Sequence, residues 1–134
     1  MIVRRAGAAL AALALLSIVQ VPSASAEGAH KGDTTTYKAM DTLTASVRRD
    51  DESRGVLSVQ AGLDTPDPKL RKLVDQSVPR LRDAYIRALG IYAAGLTPGA
   101  PPNPDQIAQQ LQRATDRVLG KPGAHLLLGT ILVN

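Results

Sequence analysis

Apolar and polar residues alternate in two short stretches early in the chain. Leu43, Ala45 and Val47 are interleaved with Thr42, Thr44 and Ser46, and Leu57, Val59, Ala61 and Leu63 repeat the pattern. A period of two puts the apolar set on one face of a half-buried strand. The stretch between them, Arg48-Arg49-Asp50-Asp51-Glu52-Ser53-Arg54-Gly55, is charged and ends in glycine. The two strands are therefore expected to form a hairpin with a longer loop.

The period then lengthens. Leu70, Leu73, Val74, Ser77, Leu81, Ala84, Tyr85, Ala88 and Tyr92 recur at spacings of three and four, the stripe of a long amphipathic helix. Asp67-Pro68 supplies its start, an N-cap side chain followed by proline at the first helical position. Pro79 has no N–H to donate and is expected to bend or split the helix near Ser77. Residues 95–103 are rich in proline and glycine, and Asn103-Pro104 repeats the cap signal. Ile107, Leu111, Ala114 and Val118 mark a narrower stripe, with Gln106, Gln109, Gln110 and Gln112 elsewhere on the helix, and Gly120-Lys121-Pro122-Gly123 closes it.

The chain finishes with His125-Leu126-Leu127-Leu128-Gly129-Thr130-Ile131-Leu132-Val133, a nearly continuous apolar run suited to a strand covered on both faces. Strand, strand, helix, helix, strand predicts an α+β fold, a small sheet packed against two amphipathic helices. So apolar a strand, left at a sheet edge, needs cover or a partner strand. Burial of this strand beneath the helices is the alternative.

Residues 1–26 read differently. Arg4 and Arg5 precede an apolar run over residues 6–21, then Pro22 and Ala24-Ser25-Ala26, the three-part layout of a secretory signal peptide with an A-x-A cleavage site. The run is shorter than the roughly 20 residues that span a bilayer, and Pro22 ends it, so cleavage is expected rather than anchoring. Arg4-Arg5 raises the twin-arginine route, but Ala6, Gly7 and Ala8 lack the bulk such signals carry, and the general route is expected. Residues 27–36 are expected to form a flexible polar tether, and residues 37–134 a single domain. The protein is thus expected in the periplasm, soluble, or associated with the inner membrane if the signal is retained.

Composition narrows the function. The chain of 134 residues has 16 basic and 12 acidic residues, two of the basic ones in the signal, a balance too even to argue for nucleic acid. With three tyrosines and no Phe or Trp, it offers few platforms for stacking bases. No cysteine is present, which excludes disulfides, thiolate metal sites and thiol nucleophiles. His30 falls in the tether and His125 opens the last strand, and neither belongs to a metal or nucleophile motif. Asp50-Asp51-Glu52 is a carboxylate cluster flanked by arginines, expected to be a self-neutralised hairpin tip rather than a calcium site. No catalytic, cofactor-binding or metal-binding residues are expected.

What remains is surface. Lys69, Lys72, Arg80 and Arg87 fall on one side of the first helix, away from its apolar stripe, and this basic face suits anionic headgroups or an acidic partner. Asp83 lies in the same stripe and neutralises part of it. Tyr85 and Tyr92 are expected in the core. Leu126, Leu128 and Ile131 of the last strand complete the candidate partner-binding set.

Gly55-Val56-Leu57-Ser58-Val59-Gln60-Ala61-Gly62-Leu63, then Pro79-Arg80-Leu81-Arg82-Asp83-Ala84-Tyr85, then residues 107–120 and the apolar last strand resemble, in order and spacing, the periplasmic domain of the flagellar basal-body-associated FliL family. The resemblance covers residues 43–133. It implies a non-enzymatic domain that self-associates in the periplasm near the inner membrane and supports the flagellar motor beside its stator. The expected function is therefore protein–protein association at the cell envelope. The alternative is a freely soluble periplasmic module that binds a small or lipidic ligand between helices and sheet.

Overall fold

The computed structural model describes residues 35–134. The chain forms β1 (Tyr37–Ala39), β2 (Leu43–Arg48), β3 (Arg54–Asp64), α1 (Pro68–Gly95), α2 (Pro104–Leu119) and β4 (His125–Val133), an α+β fold. The expected signal peptide, His30 and all of the expected tether except Thr35 and Thr36 lie outside the described residues.

β3 is the spine of one antiparallel sheet. Along one side of it lie β1 and β2 end to end, with Lys38 opposite Leu63 and Ala45 opposite Leu57. Along the other lies β4, with Leu63 opposite Leu126 and Leu57 opposite Val133. The alternation read from the sequence holds: Leu43, Val47, Leu57, Val59, Ala61 and Leu63 are all buried, and they join Leu70, Leu81, Tyr85, Ile107 and Leu111 of the helices in one core. Leu43, Leu57, Leu63, Leu81, Tyr85 and Leu111 are each at most 1% exposed, so the space between helices and sheet is taken up by side chains.

The first strand was not anticipated. β1 has only three residues, all exposed, too few to give a periodic signal. It is held by backbone, with Met40 N–H donating to the Ala61 carbonyl (3.0 Å) and Thr65 N–H to the Thr36 carbonyl (2.8 Å). The Tyr37 ring lies over Gly62, where a Cβ would stand 2.2 Å from its Oη, so glycine leaves the ring its seat.

Both helix starts follow the cap chemistry. Asp67 Oδ1 accepts from Lys69 N–H at 3.1 Å, and Asn103 Oδ1 accepts from Asp105 and Gln106 N–H at 3.0 and 3.2 Å. Gly120 ends α2 at φ 74°, its N–H on the Asp116 carbonyl, the left-handed cap that glycine takes without strain. Pro79 does not split the first helix, which runs from Pro68 to Gly95. Its missing N–H deprives the Asp75 carbonyl, four residues back, of a donor. Asp75 and Pro79 both lie on the exposed side of the helix. Leu70, Val74, Ser77, Leu81 and Tyr85, all buried on one face, hold the two halves in register.

Tyr85 and Tyr92 join the helices as well as filling the core. Tyr85 Oη lies 2.6 Å from Thr115 Oγ1, which itself donates to the Leu111 carbonyl at 2.8 Å. Tyr92 Oη accepts from the Asn103 N–H at 2.7 Å, tying the end of α1 to the start of α2.

The last strand departs from expectation. α1 packs over β2 and α2 over β4, both on the same face of the sheet. Leu126, Leu128 and Ile131 turn toward the helices and are half-buried against the core. Leu127 and Leu132 turn the other way and are 48% and 52% exposed. Among the described residues there are two helices, each with one apolar stripe, and both stripes are spent on the same face, so none of the described residues covers the outer face of β4.

Candidate docking surface at the sheet edge

The open face continues across the sheet. Thr44, Ser46, Val56, Gln60, Leu127, Thr130 and Leu132 are all exposed, so its middle is small, apolar or uncharged. The two rims of the sheet differ more than its faces do.

On the rim formed by β1 and β2, residues 40–42 interrupt the strand and charges line it. Lys38 pairs with Asp75 at 3.1 Å, and Asp41 with Arg82 at 3.4 Å. At its end the Arg48 carbonyl is taken by Gly99 N–H from the loop between the helices, at 3.3 Å. Interruption, charge and a covering loop are three ways in which natural sheets protect an edge.

The β4 rim is built otherwise. Val56 and Asn134 exchange both backbone hydrogen bonds, at 2.9 and 3.0 Å. Alternation in an antiparallel ladder then turns the N–H and C=O of Leu132 toward β3, and those of Ile131 and Val133 outward. At the other end, Leu126 N–H is turned outward, because it donates to Gln112 Oε1 at 2.8 Å. Between these ends the register slips by one, so that Gly129 and Thr130 together stand opposite Gln60. This β-bulge breaks the rim into two parts.

The first part is closed by the protein itself. Gln112 of α2 accepts from Leu126 N–H and donates through Nε2 to the Ala124 carbonyl at 2.8 Å, and its Nε2 is oriented by Asp116 Oδ1 at 3.0 Å. Its amide thus meets the two outward groups as a neighbouring strand would. The second part is not closed: among the described residues nothing hydrogen-bonds the outward backbone groups of Leu128, Ile131 and Val133. No residue from Leu126 to Asn134 carries a charged side chain.

This locates the sequence candidates. Leu128 and Ile131 do lie on the open part of the rim, but through their backbone, whereas the Leu126 N–H is taken by Gln112; the side chains of all three serve the core. The exposed apolar side chains of the strand are those of Leu127, Leu132 and Val133, which a continuous apolar run cannot single out. Gln112 gave no sequence signal of its role, since its partners are 12 and 14 residues away.

The basic stripe is a separate surface. Lys69, Lys72, Arg80 and Arg87 are all exposed on α1, the helix over β2 rather than β4. Arg87 pairs with Asp83 one turn before it, and Arg80 donates to Ser77 Oγ at 2.9 Å. At the hairpin tip, among the described residues, no ion pair joins Arg48, Arg49 or Arg54 to Asp50, Asp51 or Glu52. The carboxylates turn to backbone N–H groups instead, Asp50 to Asp51 and Asp51 to Ser53. The hydrogen bonds from Ser53, with the charge of Arg49, hold the Asp51 carboxyl below the usual range.

A shallow cleft of about 320 Å³ lies beside this tip, lined by Val47, Arg48, Asp50, Leu96, Pro101 and Val133. Among the described residues no cluster of acidic or histidine side chains is placed to hold a metal ion, and no helix is long and apolar enough to cross a membrane. Compared with protein-family models and with curated proteins, the chain matches none.

Proposed function

We propose that this is a non-enzymatic envelope protein of FliL-like type that works by protein–protein association, receiving a partner strand on the open part of the β4 rim. The observation that carries the reading is the contrast between the two rims. One is interrupted, charged and covered, whereas the other presents backbone at Leu128, Ile131 and Val133 that no described residue pairs, beside an exposed leucine. An edge of this kind is a template for strand addition, in which main-chain hydrogen bonds give affinity and alternate side chains give specificity. The signal-like pattern of residues 1–26 supports a reading in which the domain works outside the cytoplasm, and the order-and-spacing resemblance makes the flagellar motor the first partner to test.

The experiment is a native pull-down of the C-terminally tagged protein from gently solubilised envelopes, with Leu132→Lys beside the wild type. Leu132 is half-exposed, so lysine is tolerated in the fold, and lysine on an edge strand opposes pairing. The reading predicts a partner recovered with the wild type and lost with the variant. Equal recovery by both, or none by either at any protein concentration, overturns it. The intact mass of the bait reports whether residues 1–26 have been removed, and motor components among the recovered proteins support the flagellar assignment.

A further inference from the structure

We infer that the strand received by β4 is β4 of a second copy of this chain, antiparallel to it about a two-fold axis at Leu132. The inference rests on the edge-docking reading above and names its partner and register.

Self-pairing about a two-fold requires that each outward residue meet another outward residue. With the axis at Leu132, Ile131 faces Val133 of the second copy and Val133 faces its Ile131. Each such pair exchanges both N–H···O bonds, so all the outward groups of the last three strand residues are satisfied. Leu132 then faces its own counterpart at a non-hydrogen-bonded position, where Cα atoms approach to about 4.5 Å. The two exposed leucine side chains cover each other on the open face, and the two sheets become one.

Charge favours this rim over the other. From Leu126 to Asn134 there is no charged side chain, so two copies bring no like charges together. Self-pairing along β1 and β2 instead sets Arg48 or Lys38 on neighbouring strands of the two copies, where like charges repel, and it has to bridge the break at residues 40–42.

The fold also selects the register. An axis between Gly129 and Thr130 gives a longer contact on paper, with Leu128 facing Ile131 and Leu126 facing Val133. The Leu126 N–H is already held by Gln112, however, and that axis sets bulge against bulge. The pairing is therefore confined to the end of β4. So short a contact buries less than the roughly 1,200 Å² of the smallest standard interfaces, which makes association concentration-dependent rather than permanent.

The chain contains no cysteine, so single-cysteine variants report proximity without background. Under mild oxidation Leu132→Cys should form a disulfide-linked dimer at least tenfold faster than Val56→Cys, which is about equally exposed on the same face at 44% but one strand further in. In the wild type, hydrogen-exchange protection of the Ile131 and Val133 amides should rise with protein concentration while that of Ser46 on the opposite rim does not. Equal oxidation rates and concentration-independent exchange overturn the inference. A heterodimer formed only when Leu127→Cys and Leu132→Cys are mixed overturns the register. If Leu132→Cys stays monomeric while Leu132→Lys loses an envelope partner, the strand comes from another protein, and the docking reading stands without this one. If neither effect is seen, both fail.

Discussion

Replacing Gln112 with alanine removes the acceptor of the Leu126 N–H and the donor to the Ala124 carbonyl in one step, together with the contact to Asp116. Each of the two backbone hydrogen bonds contributes about 0.5–1.5 kcal/mol. Ala124 is fully buried, so its carbonyl is poorly placed to find water and that bond belongs at the upper end. Side-chain entropy regained on truncation, and the slightly better helix propensity of alanine, return part of the loss. The expected net destabilisation is about 1–2 kcal/mol, read as a fall in Tm of roughly 5–10 °C for a domain of this size. Urea unfolding gives the free energy, and hydrogen exchange at Leu126 reports whether its amide has lost its partner. Gln112→Glu is the sharper variant, because it keeps the acceptor for Leu126, removes the donor to Ala124 and sets a second carboxylate beside Asp116. It should be less stable than Gln112→Ala at neutral pH. Relative to wild type, it should regain stability as the pH falls through the carboxylate range, because the protonated form donates again. A Gln112→Ala protein within about 0.3 kcal/mol of wild type whose Leu126 amide remains protected would refute this account of the rim.

Three further outcomes are expected. Burial, opposed in part by the Thr115 hydrogen bond and reinforced by the charge of Asp116, pushes the Tyr85 hydroxyl up to about 12. Unfolded tyrosine ionises near 10, so the folded state holds the extra proton between these values. Stability contributed by Tyr85 is intact below pH 10 and should decline by about 1.4 kcal/mol per unit up to pH 12; wild type minus Tyr85→Phe in chemical denaturation isolates this slope, and parallel profiles refute it. Thr65 Oγ1 is buried without a hydrogen-bond partner, so Thr65→Val should stabilise the fold by about 1 kcal/mol, and a lowered Tm would show that the hydroxyl is satisfied in solution. Pro79→Ala restores the bond to the Asp75 carbonyl and should raise stability by about 1–3 kcal/mol, less what proline contributes by restricting the unfolded chain; a loss of stability would mean that the helix needs the proline where it is.

Local patterns in the sequence determined the hairpin, both helix starts and the α+β order. Each rests on a spacing of two, three or four residues, or on a cap that acts within its own turn. Leu43 to Val47 and Leu57 to Leu63 alternate because one face is buried, and Asp67 and Asn103 cap because they precede orphan N–H groups. The tertiary structure alone decided which face of β4 is covered. A run such as Leu126-Leu127-Leu128 is the same whether helices lie on one side of it or on both, and the one-residue slip opposite Gln60 fixes which leucines turn outward. Pro79 carries a strong local signal that the fold overrides, since a long buried stripe on either side holds the helix through a single missing bond. The closed and open parts of the rim were beyond any local pattern. Gln112 meets Ala124 and Leu126 only because α2 is laid across the sheet, and an unpaired backbone group is defined by what the rest of the fold leaves uncovered.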